Sequence, residues 1–456
     1  MIIRSPWDTS EVGTVALATA GQMDAAVAAN AAAAEQCRRM PAFERADCLR
    51  RIVRVLEGGA TEIAQLLAKE AGKPITLAKL ELERAIFVFR DAAEEATRIT
   101  GDVMPLDVLP AGRNRLGFTR RFPLSPIAAI TPFNFPVLLA AHKIAPAIAC
   151  GASMTLKPPP QDPLTSMMLW EIVASSGYPA GGINVLPCEL EVAKRLVADE
   201  RVRMISFTGS AKAGWDIRAS AGTRRVALEL GGNAAVIIAA DADLELAARR
   251  CALGGYSYAG QSCISAQRIL VDRAVHDRFL ALFVNEVRQL KVGSDPMDPE
   301  ALVGPMIDEP NAARAESWVR EAVSQGAKLE LGGGRRGALL EPVILTGTTP
   351  EMRVNSEEIF APVTTVEAVA DFDEAIGRAN ATPYGLQAGV FTRDVARIMA
   401  AWDRLDVGGV MGNDIPGYRI DRMPYGGARA SGLGREGVRY AIQEMTELRL
   451  LTLPGA

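Results

Sequence analysis

From Ile127 onward, short apolar runs alternate with longer helical stretches, and this alternation restricts the fold more than any other feature. Ile127–Thr131, Ser153–Lys157, Ile183–Leu186 and Met204–Phe207 read as buried strands. Between them lie a helix carrying His142 to Pro146 and the helices Thr165–Ser176 and Val192–Ala198. Parallel strands need helical crossovers, so strand–helix–strand–helix–strand predicts a parallel sheet covered on its faces by helices. A second α/β block begins at Val236–Ile238. It continues through helix Leu244–Leu253, strand Arg268–Val271 and helices His276–Gln289 and Ala312–Gln325, reaching Val390–Phe391.

Helices precede this pattern. Asp24 is placed to cap Ala25–Arg38, and a second helix after Pro41 carries Leu49, Ile52, Val53 and Leu56 on one face. A third runs from Ala60 to Glu70 and stops at Gly72-Lys73-Pro74; a fourth is expected over Ile75–Ile99. Asn114–Phe122 alternates apolar and polar side chains, as an exposed strand or hairpin does. The tail Glu447–Leu453 is one more strand, with unpaired edges unless a neighbour or a partner chain covers them.

At 456 residues the chain is too long for one small core, so two or three domains are expected. A net charge of −4 argues against nucleic acid or an anionic membrane as the main partner. The cysteines at 37, 48, 150, 188, 251 and 263 form no C-x-x-C pair, and with two histidines in the chain no metal site is expected. Free thiols suit a reducing compartment. The N-terminus lacks the pattern of a signal peptide, and the Ala-rich run from Asp24 to Ala34 is too short and too weakly apolar to span a bilayer. A cytoplasmic protein is expected.

Most free cysteines are small core hydrophobes. Cys263 differs in its setting, Gly260-Gln261-Ser262-Cys263-Ile264-Ser265, among small polar residues. A thiol nucleophile needs a base and donors for an oxyanion. Neither histidine suits the first role: His142, in an Ala-rich helix, reads as a packed core residue and His276 as surface. Glu229, ending the apolar run Ala227-Leu228, is the better base, since burial would raise its pKa towards neutrality; a carboxylate capping the Gly231-Gly232 turn is the equal alternative. Asn134, between phenylalanines and prolines, is an oxyanion donor or a turn residue. Gly209-Ser210 follows a strand and opens a helix, as a pyrophosphate site or a bare glycine turn. Arg84, beside an apolar helix face, reads as a snorkelling surface residue unless other features give it a substrate.

Eight motifs then occur in one order: PFNFP (132–136), LKP (156–158), FTGS (207–210), LELGGN (228–233), GQSCIS (260–265), EEIFAPV (357–363), YGLQAGVFT (384–392) and PYGG with SGLGREG (424–427, 431–437). Over essentially its whole length the chain resembles the NAD(P)-dependent aldehyde dehydrogenase superfamily. The resemblance implies Cys263 as the nucleophile that forms a thiohemiacetal and then a thioester. Asn134 would hold the oxyanion with the backbone N–H of Cys263, and Glu229 would activate the hydrolytic water. NAD or NADP would be bound by Thr131 and Pro132, by Lys157 at the adenine ribose, by Gly209 and Ser210 at the pyrophosphate, and by Glu358 and Phe360 at the nicotinamide ribose and ring. Lys143 and Glu436 match a buried proton-relay pair.

The implied fold is α/β, with two doubly wound α/β domains and a small oligomerisation β-hairpin. Residues 1–106 and 126–234 would bind cofactor, 235–422 would form the catalytic domain, and 107–125 with 440–456 would form oligomerisation strands of a homodimer or homotetramer. The stretches HKIAPAIA (142–149), KPPPQ (157–161) and YRIDRMPYGG (418–427) are most similar to lactaldehyde and non-phosphorylating glyceraldehyde-3-phosphate dehydrogenases. In that subgroup, arginines matching Arg84 and Arg419 contact an anionic end of the substrate. Pro160 stands where NAD-preferring members often carry a glutamate, which leaves NADP tolerated. Ser262 stands where members acting on phosphorylated aldehydes often carry arginine. A small polar or anionic aldehyde is therefore the expected substrate. The alternatives are a coenzyme A-acylating semialdehyde dehydrogenase, against which Glu229 argues, and a non-catalytic structural relative, against which the intact Cys263, Glu229 and Asn134 argue.

Overall fold

The computed structural model describes residues 1–454 and is built on two large sheets. In the first, parallel strands Ile127–Ile130, Met154–Lys157, Ile183–Val185, Met204–Thr208 and Arg225–Glu229 are joined by helices Pro136–Cys150, Leu164–Ala174, Leu190–Ala198 and Ala211–Ser220. The order runs from Arg225–Glu229 through Met204–Thr208, Ile127–Ile130 and Met154–Lys157 to Ile183–Val185. A late antiparallel strand, Gly432–Leu433, pairs with the Arg225–Glu229 edge, so the chain returns to its first sheet near its end.

The second sheet has seven strands, with Ala235–Ile238 and Arg268–Asp272 paired in parallel near its centre. Ala235–Ile238 is buried at every position, as a central parallel strand under two helical layers requires. Because Leu230–Ala234 joins the sheets directly, the carboxyl ends of the first face the amino ends of the second. The loop carrying Cys263 leads into Arg268–Asp272, and the segment carrying Glu358 leads into Val363–Val369. Ligands of open parallel sheets bind beyond the strands' carboxyl ends. That crevice is therefore where the motif residues meet.

The N-terminal helices Ala42–Gly58, Ala60–Glu70 and Ile75–Glu95 bury Leu49, Ile52, Leu56, Leu67, Leu82 and Phe89 against Pro136–Cys150, extending the first core. Among these N-terminal helices, the first and the fourth differ from the sequence expectation. The first helix starts at Ala20, capped by Thr19 in a reciprocal box with Gln22, while Asp24 pairs with Arg201 at 2.6 Å. The helix expected over Ile75–Ile99 ends at Glu95.

The expected 107–125 hairpin lies partly outside those bounds. Residues 107–114 are turns and a short 3-10 segment, and Val103–Pro105 pairs with Arg115–Pro123. Arg115–Pro123 pairs along its length with Thr446–Pro454, so one edge of the tail strand is covered within the chain. The last two residues of the expected 440–456 segment lie outside the described residues. Leu448, Leu450 and Leu451 are more than half exposed on this strand. All six cysteines are free. No described helix is long and apolar enough to cross a membrane.

Candidate active site

Cys263 sits on a loop whose backbone is forced. Tyr258, Ala259 and Gly260 take φ of 52°, 53° and 65°, left-handed values that cost a non-glycine residue roughly 1–2 kcal/mol each. Long-range contacts hold the strained turn in place. Tyr258 donates from its main chain to Leu302 O at 3.1 Å and from its hydroxyl to Ala71 O at 2.7 Å. The buried Gln261 side chain accepts from Ile307 N at 2.8 Å. Glycine is required across the crevice: a Cβ on Gly232 would lie 2.4 Å from the Cys263 carbonyl oxygen, and one on Gly231 would collide with Glu358.

The thiol is half-buried, and its Sγ lies 2.8 Å from the Tyr425 hydroxyl. Burial pushes the thiol up to about 12. The Tyr425 hydrogen bond opposes this, the Glu358 charge adds to it and Arg419 pulls back. The resting sulfur is accordingly a protonated thiol.

Asn134 meets this loop directly, donating from Nδ2 to Gln261 O at 3.1 Å. An amide has two N–H groups, so one donor remains, and Oδ1 is buried without a partner. Asn134 is itself held from behind: its carbonyl accepts from Lys73 Nζ at 2.8 Å, and Lys73 is ion-paired with Glu81. The other Glu81 oxygen accepts from Val137 N and Leu138 N at 3.0 and 3.1 Å, capping the helix that starts at Pro136. The sequence reading missed this pair. Gly72-Lys73-Pro74 carries a helix-stop signal, and a lysine there is ordinarily at the surface.

Glu229 ends its strand with its carboxyl 6 % exposed and Oε2 without a hydrogen-bond partner. Burial pushes this carboxyl well above its ordinary value and the Glu436 charge adds to the rise; Arg419, Lys143 and Arg435 oppose it. The turn-capping alternative does not describe the site, because the Gly232 N–H goes to Glu358 at 3.0 Å. Lys143 Nζ donates to Ser206 Oγ at 3.0 Å and stands 4.0 Å from Glu436 Oε1. Its pKa is lowered by burial, which the Glu436 and Glu229 charges partly offset. Glu436 is itself buried, yet His142, Arg419 and Lys143 together outweigh that burial and hold it below the ordinary range.

Arg419 donates to Glu436 Oε2 at 3.1 Å and to His142 Nε2 at 3.0 Å, and packs on the Tyr425 ring at 3.7 Å from its centroid. Asp421 binds Arg84 with both oxygens, at 2.9 and 2.8 Å, and lies 3.0 Å from His142 Nε2. Two readings change here. His142 is buried as expected, but in a charged cluster rather than in apolar packing. Arg84 is no snorkelling surface residue, since Asp421 engages its Nε and Nη2 and leaves Nη1. His276, expected at the surface, is half-buried beside Asp277.

One cavity of about 390 Å³ is lined by Cys263, Asn134, Glu229, Pro132, Gly209, Ser210, Glu358, Phe360, Arg84, Arg419 and Glu436. Tyr425, Phe133 and Arg314, to which the sequence reading gave no role, line it too. Lys143 stands behind the carboxylates. Thr131 and Lys157 lie outside the cavity, at the carboxyl ends of neighbouring strands, where Thr131 N donates to Lys157 O at 3.2 Å.

These residues suit a dinucleotide. Ser210 caps helix Ala211–Ser220, whose amino end borders the cavity and favours an anion. Thr131 Oγ1 and Thr208 Oγ1 are buried hydroxyls without partners, and Lys157 is a half-buried cation whose pKa burial lowers. Burial pushes the Glu358 carboxyl up to about 7, against the Gly232 N–H and Arg314. Phe360, with φ of 51°, meets the edge of Phe133 at 5.9 Å.

The family model described as "Aldehyde dehydrogenase family" matches residues 1–451. Among curated proteins, 3-sulfolactaldehyde dehydrogenase of Priestia megaterium is 43% identical over 412 residues, covering 90% of this chain and 86% of the relative. Aspartate-semialdehyde dehydrogenase 1 of Pseudomonas canavaninivorans is 39% identical over 451 residues, covering 99% and 96%. Two solved structures superimpose closely. Aldehyde dehydrogenase 21 from Physcomitrella patens, in complex with the reaction product succinate, has a TM-score of 0.98 at 40% identity and covers 100% of this chain and 95% of that one. Glyceraldehyde-3-phosphate dehydrogenase GapN from Methanocaldococcus jannaschii, complexed with NADP, has a TM-score of 0.96 at 38% identity, covering 100% and 99%.

Proposed function

The chain belongs to the aldehyde dehydrogenase family and is an NAD(P)-dependent enzyme that oxidises small polar aldehydes, and we propose that Cys263, Asn134 and Glu229 carry out its chemistry. Cys263 releases its thiol proton to solvent and, as thiolate, adds to the aldehyde carbon. The free Asn134 N–H and the Cys263 main-chain N–H stabilise the oxygen that becomes anionic. The bound nicotinamide supplies the hydride acceptor, and loss of hydride leaves a thioester on Cys263. Glu229, ionised, takes a proton from the water that attacks this thioester, releasing the carboxylic acid and the Cys263 thiolate. Lys143 and Glu436 pass that proton on.

The observation that carries this reading is that three residues far apart in sequence line one cavity, with Asn134 bonded to the loop of the cysteine and Glu229 buried without a partner. Cys263→Ala should abolish aldehyde-dependent NAD(P)H formation while nucleotide binding, measured by calorimetry, persists. Full activity in that variant would sink the mechanism.

Thr131, Pro132, Lys157, Gly209, Ser210, Glu358 and Phe360 are assigned to the cofactor. The proposed substrate is a short aldehyde with a hydroxyl or an anionic end. Arg84 and Arg419 favour it, as do relatives named for 3-sulfolactaldehyde and aspartate semialdehyde. Because Asp421 and Glu436 already engage the two arginines, the anion is held by what remains of each guanidinium, a weaker grip than two free arginines would give. The proposed division is a cofactor domain of 1–106 with 126–234, a catalytic domain of 235–422 and oligomerisation strands in 107–125 and 440–456. The exposed leucines of Thr446–Pro454 support a homodimer or homotetramer, and the proposed location is the cytoplasm. Transfer to coenzyme A remains the second reading; Glu229 disfavours it, and acyl-coenzyme A among the products would establish it.

A further inference from the structure

The proposed nucleophile has a partner that this reaction scheme leaves unused. Tyr425 Oη lies 2.8 Å from Cys263 Sγ, and Tyr425 is 4 % exposed. Its main chain is fixed to Glu436 by reciprocal bonds, Tyr425 N to Glu436 O at 3.1 Å and Glu436 N to Tyr425 O at 2.6 Å. Its ring packs with Ile264 and Leu386 beside Cys263, and Arg419 covers a face at 3.7 Å from the centroid. The hydroxyl is thus aimed at the sulfur by contacts to several separate segments.

We propose that Tyr425 is a catalytic residue whose hydroxyl donates a hydrogen bond to the Cys263 sulfur and stabilises the thiolate that attacks the aldehyde.

The direction of donation follows from the two groups. In the resting pair either phenol or thiol can donate. Burial first, and then the adjacent Cys263, raise the phenol well above its ordinary value, so it keeps its proton wherever the enzyme works. Once the sulfur is ionised it has only lone pairs to offer, and Tyr425 must be the donor. A cation over the ring draws electron density from it and makes the O–H a better donor, which gives Arg419 a part distinct from any substrate contact. The hydroxyl offsets only part of the cost of burying the charge. The thiol therefore remains protonated at rest and is drawn towards thiolate as further donors assemble.

This proposal rests on Cys263 being the nucleophile, so its test is read without aldehyde and does not depend on turnover. Alkylation of Cys263 by iodoacetamide is followed by site-resolved mass spectrometry between about pH 7 and 10, where the rate tracks the thiolate. Removing the hydroxyl in Tyr425→Phe should raise the thiol pKa by about one unit. That leaves about tenfold less thiolate, each roughly threefold more nucleophilic, for a net slowing of about threefold at each pH. Replacing Tyr425 by 3-fluorotyrosine, a more acidic phenol of nearly the same size, should speed alkylation over wild type, and it decides the matter alone if Tyr425→Phe fails to fold by circular dichroism. Unchanged rates in the folded variants, or faster alkylation in Tyr425→Phe, overturn the proposal. Activity retained in Cys263→Ala would instead remove the reading beneath it.

Discussion

Replacing Lys73 by methionine removes a buried charge bonded to the main chain of Asn134, the proposed oxyanion residue, while keeping most of the side-chain volume. Lys73 is 0 % exposed, donates to Asn134 O at 2.8 Å and to Glu81, and lies 3.9 and 4.4 Å from the ring centroids of Phe135 and Tyr258. In the variant Glu81 is a buried carboxylate with two N–H donors and no cation. Breaking a buried pair in this way costs about 3–5 kcal/mol. The orphaned Asn134 carbonyl adds about 1–3 kcal/mol, although losses in one network do not sum.

The melting temperature of Lys73→Met should therefore fall well below that of wild type. Adding Glu81→Gln, whose carbonyl still accepts from the helix start, should recover part of the deficit. Removing Glu81 with leucine should not, because Val137 N and Leu138 N then lose their acceptor. With the Asn134 loop unanchored, kcat should drop about tenfold or more with little change in KM, since the lost donor acts on the oxyanion. Scanning fluorimetry and steady-state kinetics read both effects. Wild-type stability and kcat in Lys73→Met would refute the idea that this pair anchors the oxyanion loop.

Other changes probe other parts of the site. Glu229→Gln should leave a single-turnover burst of NAD(P)H but slow later turnovers by about 10²–10⁴-fold, and a missing burst in stopped-flow absorbance would mean that Glu229 acts earlier. Because burial and Glu436 raise the folded pKa of Glu229, its contribution to stability is present below the unfolded value and lost as pH rises. Glu229→Gln should accordingly gain melting temperature over wild type as pH rises above the ordinary carboxylate range. Pro160→Glu, at an exposed position beyond the Lys157 strand, should weaken NADP more than NAD through repulsion of the 2′-phosphate, and equal KM changes for the two would argue against that placement. Arg84→Met should raise KM for anionic aldehydes by about tenfold and spare neutral ones, and identical effects on both classes would remove Arg84 from substrate recognition.

Local pattern made much of this legible. A central parallel strand buried on both faces must be apolar throughout, and a crossover helix must follow it, so the runs at Ile127, Met204 and Val236 announced parallel strands with helical crossovers before any contact was known. Glycines at 231 and 232 and a cysteine among small residues are local too: each marks where backbone must come close. The motifs also named Cys263, Asn134 and Glu229, and the structure places them around one cavity.

What the sequence could not disclose is the state of its polar side chains, because a charge is buried or solvated according to what packs over it from elsewhere in the chain. Gly72-Lys73-Pro74 marked only a helix stop, and nothing local in it shows that Glu81, Phe135 and Tyr258 close around Lys73. His142 looked like core packing, yet its partner Asp421 lies 279 residues away. Tyr425 meets Cys263 across 162 residues, within a motif that carries no sign of which atom its hydroxyl will reach. The sequence by itself determined the family, through motifs in the family's order, and the parallel sheets, through periodicity; the three residues proposed to react followed from the resemblance. Tertiary structure alone decided which charges are desolvated, which are paired and which hydroxyl faces the sulfur, because those depend on distances between segments that only the folded chain sets.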